Sequence, residues 1–147
     1  MKKITIIAVG KIREKYLLDA IDEYKKRLSR FCKLNIIEVP DSAHEDVAKE
    51  SALIIDAAPK IDFLLDIDGD LISSKFLSAD LDKLFLSADT AYFVIGGSCG
   101  VDGRVKTAAK KRISFGRITF PHQLMRVLVL EQVYRSFCIS NGLPYHK

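Results

Sequence analysis

The chain has 147 residues, 48% of them apolar and 29% charged, with a formal net charge of +4. That length predicts one domain spanning 1–147, able to bury about two-thirds of the surface its unfolded form exposes, with no linker. Its three cysteines, Cys32, Cys99 and Cys138, are far apart and form no C-x-x-C, which excludes a disulfide framework or a zinc site and points to a reducing cytoplasm without a metal.

The opening Met1-Lys2-Lys3-Ile4 faintly imitates a signal peptide. The apolar stretch ends at Val9, however, and Lys11, Arg13 and Lys15 follow, so the h-region is too short and lacks a cleavage site. Lys3 to Val9 reads as a strand closed by Gly10. Arg13 to Leu28 reads as a helix, with Tyr16, Leu17, Ala20, Ile21, Tyr24 and Leu28 at helical spacing. Leu34 to Val39 is a second strand, stopped by Pro40-Asp41. Ser42, with Glu45 three residues on, forms a capping-box signature for a helix to about Ala57.

Ile61 to Ile67 is the third strand, with Asp68-Gly69 as its turn, and a helix follows from Ser73 or Ser74 to about Ser87. Ala91 to Ile95 is the fourth strand, Val101 to Lys110 a short helix, and Ile113 to Phe120 the fifth strand. The near-continuous apolar runs at Ile4–Val9 and Ala91–Ile95 suit strands covered on both faces by helices. The pattern predicts a three-layer α/β domain around a mainly parallel sheet of five or six strands.

The final helix, Pro121 to Ser140, is unusual for a chain end. Its polar residues Gln123, Arg126, Glu131, Gln132, Arg135 and Ser136 scatter around the whole wheel and leave no broad polar stripe. A helix apolar on nearly every side is normally buried on nearly every side, here between its own sheet and a second subunit. It is too short and too charged to span a membrane, which takes about 20 apolar residues.

Charge is unevenly spread. Residues 1–95 carry 14 Lys/Arg against 17 Asp/Glu, whereas residues 96–147 carry 9 against 2, a balance of +7. A concentrated positive face is the footprint of a polyanion, most commonly nucleic acid. The bland alternative is that Lys106, Lys110, Lys111 and Arg112 only solvate one helix. Ligands of such sheets bind beyond the carboxyl ends of the strands, where the loops after Ile67, Ile95 and Phe120 all qualify. The Gly96–Gly103 loop can let backbone approach a ligand, or can simply be a tight turn before a helix; it is neither a dinucleotide G-x-G-x-x-G nor a P-loop.

The combination is more specific. Phe93-Val94-Ile95-Gly96-Gly97-Ser98-Cys99-Gly100, Ile113 to Val127 with its Phe120-Pro121-His122-Gln123 core, Glu131-Gln132-Val133-Tyr134-Arg135 and the terminal Tyr145-His146-Lys147 closely resemble the SPOUT-class large-subunit rRNA methyltransferase H family. The resemblance runs the full length, including Ala8-Val9-Gly10-Lys11 and Leu64-Leu65-Asp66-Ile67. It implies a C-terminal deep trefoil knot, S-adenosylmethionine as methyl donor, a homodimer, and methylation of N3 of a pseudouridine in 23S rRNA on assembled ribosomes, with neither DNA nor membrane as partner. Cys99 departs from members that carry a charged or amide side chain there.

The same resemblance puts donor contacts on Leu65, Gly96, Phe115, Gly116, Arg117, Ile118, Thr119 and Phe120. A mostly apolar pocket with exposed backbone groups suits adenine, although Leu65, Ile118 and Phe120 read equally well as sheet core. Transfer to N3 needs alignment and either proton removal or stabilisation of the developing anion. Candidate catalytic residues are His146 as proton acceptor and Lys147 or Arg135 as cations. The alternatives are a frayed tail and a plain helical ion pair between Glu131 and Arg135. His122 and Arg126 can face either the pocket or the dimer seam. Two other function classes stay open: a nucleotide- or dinucleotide-binding enzyme using the glycine loop, and a non-catalytic RNA-binding module.

Overall fold

A computed structural model of the chain describes residues 1–145, apart from the side chain of Glu45; His146 and Lys147 lie outside the described residues. Five strands alternate with five α-helices: β1 (Lys3–Val9), α1 (Lys15–Leu28), β2 (Lys33–Val39), α2 (Val47–Ala57), β3 (Ile61–Leu71), α3 (Ser74–Leu84), β4 (Thr90–Ile95), α4 (Gly103–Ala108), β5 (Ala109–Ser114) and α5 (His122–Ser140). The strands form one sheet in the order β2-β1-β4-β3-β5, and every pairing is parallel. The expected α/β layering is therefore present, with five strands among the described residues.

The apolar strands are apolar because both faces are covered. Ile4, Ile6 and Ala8 of β1 join one cluster with Leu17 and Ile21 of α1, Leu77 and Leu81 of α3, and Val129 and Val133 of α5. Ile7 and Val9 join the opposite cluster with Ile54 of α2 and Val105 of α4. Strand side chains alternate between faces, so a one-residue slip of β1 would exchange the two sets. Each buried Ile or Leu contributes about 1.5–3 kcal/mol relative to exposure.

Several boundaries differ from the sequence reading, each for a local reason. The α1 helix begins at Lys15 rather than Arg13. The α2 helix begins at Val47, capped by the Asp46 carboxylate, which accepts from Lys49 N at 3.1 Å. Ser42 instead opens a short 3-10 turn, Ala43–Glu45, in which His44 takes φ +62°. The expected capping box rests on the Glu45 side chain, which lies outside the description.

β3 does not stop at Asp68-Gly69 but runs to Leu71, with a register shift against β5 between Leu65 and Asp70. A Cβ at Gly69 would sit 2.7 Å from the backbone of Arg112, so only glycine lets the two strands meet there. The fifth strand is Ala109–Ser114, not Ile113–Phe120, because Ala109 already pairs with Ile61. The Ser114 hydroxyl donates to the Gly116 carbonyl at 2.8 Å and accepts from Gly116 N at 3.2 Å, and Gly116 at φ +136° turns the chain away. Residues 115–120 are consequently a loop.

Candidate active site

The carboxyl ends of β3, β4 and β5 and the first turn of α5 enclose a cavity of about 410 Å³, within the usual range of about 300–1,000 Å³ for small-molecule sites. Leu65, Ile95 and Ile113 form its floor, Phe115, Ile118 and Phe120 one wall, the Gly96–Val101 loop another, and His122 and Met125 the helical side. Seven of the eight expected donor residues, Leu65, Gly96, Phe115, Gly116, Ile118, Thr119 and Phe120, line this one space. Arg117 is not on its lining: its guanidinium donates to the carbonyls of Ile67 and, at 3.0 Å, Gly69. It ties the 115–120 loop to the end of β3. Asp66 and Asp68 supply carboxylates at the mouth, and Asp66 is itself engaged by Arg112 at 3.5 Å.

The glycine loop is shaped by its own packing. A Cβ at Gly96 would lie 2.9 Å from Val101 Cγ1 and 3.1 Å from the Gly100 backbone; one at Gly97 would lie 2.8 Å from Glu50 Oε1. Gly100 N donates to the Gly97 carbonyl at 3.0 Å, closing a turn with Gly100 at φ +80°. Behind it, buried Glu50 accepts from the backbone and hydroxyl of Ser42, and Ser51 accepts from Asp102 N at 3.0 Å. Asp102 in turn caps α4 through Arg104 N. The tight turn read as an alternative is thus present, and it leaves main chain along the cavity wall. Cys99 is exposed on that wall.

Arg126 is the residue sequence reasoning left open and the fold uses most heavily. It is 1% exposed and donates at 2.7 Å to the carbonyls of Val9 and Gly10 and to Glu38 Oε2. Burial pulls its pKa down and Glu38 opposes that shift; a guanidinium stays charged in either case. One arginine therefore pins the start of α5, with His122 and Met125, to the carboxyl ends of β1 and β2. The only sequence signal was a cation inside an apolar helix.

Of the expected catalytic residues the structure describes only Arg135, which is not on the lining of this cavity. His146 and Lys147 lie outside the described residues. Arg135 forms the helical ion pair with Glu131, through both Nε and Nη2 at 2.7 Å. It stands ten residues beyond Met125, roughly 15 Å along the helix at about 1.5 Å per residue. Tyr145 returns to the same place: its hydroxyl donates to Glu131 Oε2 at 2.7 Å, its ring lies 4.7 Å from the Arg135 guanidinium, and its pKa is raised by burial and by Glu131. Among the described residues no cluster of three or more His, Cys, Asp or Glu is placed to hold a metal, and no helix is long and apolar enough to cross a membrane.

The family model described as "Predicted SPOUT methyltransferase" matches residues 1–146. A Methanococcus vannielii protein is 50% identical over 98% of this chain and 99% of its own length. The ribosomal RNA large subunit methyltransferase H of Oenococcus oeni is 47% identical over 100% of both chains, and a Clostridium botulinum protein of that name is 48% identical over 98% of this chain and 99% of its own. With glycine loop, turn and helix matched end to end, the chain belongs to the SPOUT methyltransferases, in the ribosomal RNA large subunit methyltransferase H family.

Proposed function

We propose that this protein transfers a methyl group from S-adenosylmethionine to N3 of a pseudouridine in 23S rRNA, on the assembled ribosome and in the cytoplasm. Residues 1–147 work as a single domain whose C-terminal part is tied in a deep trefoil knot, and two copies act together. The observation that carries the reading is the cavity itself, built from the stretches that match the family over its whole length.

The residues present suit such a donor. Leu65, Phe115, Ile118 and Phe120 offer apolar surface to adenine, the backbone of residues 115–120 offers donors and acceptors to its edge, and Asp66 and Asp68 offer acceptors to ribose hydroxyls. The bound donor supplies an already activated methyl group. What the protein adds is alignment, which is worth several kcal/mol, together with handling of the N3 proton. His146 accepts that proton, and Lys147 and Arg135 stabilise the developing anion or hold phosphate.

Chain geometry supports a site shared between two copies. Tyr145 and Arg135 sit together, ten residues along α5 from Met125 on the cavity lining, roughly 15 Å of helix. Half-buried Leu124, Val127 and Leu128 share one face of α5 with Glu131 and Arg135, and the part of it that the chain's own core leaves open suits the α5 of a second copy.

The experiment is methyl transfer from labelled donor to intact ribosomes, isolated large subunits and free rRNA, with mapping of the modified base. A chain ending at Tyr145 is expected to fold, dimerise and bind the donor but lose most transfer. Recovery at low salt identifies phosphate contact; recovery at high pH identifies proton removal. Full activity in that truncated chain removes the tail from the reaction.

A further inference from the structure

Among the described residues, Glu131 accepts from four donors: Arg135 Nε and Nη2, Tyr24 and Tyr145. It sits mid-way along α5, its side chain 17% exposed, on the helix face where the chain end returns. Oε1 takes both Nε and Nη2 of Arg135 at 2.7 Å. Oε2 takes two phenols, Tyr24 at 2.9 Å and Tyr145 at 2.7 Å. Burial and this carboxylate raise the pKa of both phenols, so both remain donors across the neutral range.

The route that brings Tyr145 there is short. The chain reverses at Gly142, whose φ of +66° suits glycine, while Gly142 N donates to Ile139 O at 3.1 Å and Leu143 N to Cys138 O at 2.9 Å. Tyr145 then lies between the Arg135 guanidinium, 4.7 Å from its ring centroid, and the Tyr134 ring, whose centroid is also 4.7 Å away at 79°. Tyr24 alone would suffice to tie α1 to α5 through Glu131. The second phenol ties down only the tail, and no packing need explains a carboxylate that collects a tail phenol and a guanidinium together.

We propose that Glu131 is a positioning residue for methyl transfer: it clamps Tyr145 and Arg135 into one unit beside α5. This rests on the methyl-transfer reading given above. Through Tyr145 it fixes the chain where the described residues end, and through Arg135 it orients the guanidinium. Glu131 itself is not on the lining of the cavity.

The test compares Glu131→Gln, Tyr145→Phe, their double variant and Tyr24→Phe, each assayed on ribosomes at saturating donor. Losing a hydrogen bond to a charged acceptor is expected to lower kcat about tenfold to a hundredfold in each of the first two. The double variant should fall no further than Glu131→Gln alone, because both changes break one linkage. Donor Kd should stay at the wild-type value, a split that general loosening of the fold would not produce. Tyr24→Phe, which removes the other phenol from the same oxygen, should keep kcat within about twofold.

Additive losses in the double variant, unchanged kcat in Tyr145→Phe, or an equal loss in Tyr24→Phe would each overturn the proposal. The last would make Glu131 a tie between α1 and α5. A wild-type protein inactive on ribosomes instead sinks the methyl-transfer reading, and this inference with it. Loss on truncation after Tyr145 combined with normal kcat in Glu131→Gln sinks only the inference.

Discussion

Replacing Arg126 with methionine keeps an unbranched apolar stem and removes the guanidinium with its charge and its donors. In the native protein that guanidinium is 1% exposed and satisfies two main-chain carbonyls, those of Val9 and Gly10, at 2.7 Å each. Leaving both without this donor costs about 1–3 kcal/mol apiece. Glu38, 38% exposed, regains water and adds little. Relief from burying a guanidinium, whose Nε has no partner, offsets part of the loss.

The balance is about 3 kcal/mol of destabilisation, which for a chain of this length lowers the melting temperature by about 6–12 °C. Calorimetric melting of wild type and Arg126→Met reads this directly. Because His122 and Met125 share the start of α5 and line the cavity, isothermal titration with S-adenosylmethionine, below the melting range, should show at least about tenfold weaker binding, the weakening that 1.4 kcal/mol brings. A variant that melts within about 2 °C of wild type, less than the shift from 1 kcal/mol, and binds the donor normally would refute the view that this arginine holds the cavity's helical wall.

Gly96→Val places a side chain where a Cβ already meets Val101 Cγ1 at 2.9 Å and the Gly100 backbone at 3.1 Å. Titration calorimetry should find donor binding lost while circular dichroism still reports a folded protein, and wild-type affinity would separate this loop from the donor site. Leu128→Asp puts a charge on the half-buried outer face of α5, so sedimentation equilibrium should find a dimer for wild type and a monomer or an unfolded chain for the variant; a monomeric wild type would count against the shared site. Tyr24 and Tyr145 have folded-state pKa values raised above the ordinary 10.0. The stability tied to their bonds to Glu131 is therefore fully present below pH 10, and as pH rises through the raised values it is lost. Denaturant titrations at stepped alkaline pH should show a smaller decline above pH 10 in Glu131→Gln, and a wild-type midpoint still level far above pH 10 would contradict it.

Much of this was written in local order. The strands at Ile4–Val9 and Ala91–Ile95 were readable because a run apolar at every position suits only a strand covered on both sides, and α1, α3 and α5 supply one cover while α2 and α4 supply the other. The glycine loop and the all-round apolar helix were readable for the same reason: each is a property of consecutive residues.

Contacts between distant residues were not. The end of β5 depended on Ala109 meeting Ile61 and on Ser114 turning the chain at Gly116, so that a stretch reading as strand became the cavity wall. Arg126 could be assigned only once folding had brought it to Val9 and Gly10, 117 and 116 residues away. Glu131 likewise reads as one half of a helical ion pair with Arg135, and only the tertiary return of Tyr145, with Tyr24 from 107 residues away, makes it a junction. Periodicity reports which face of an element is apolar; the partner of a buried charge is chosen by the topology that delivers it.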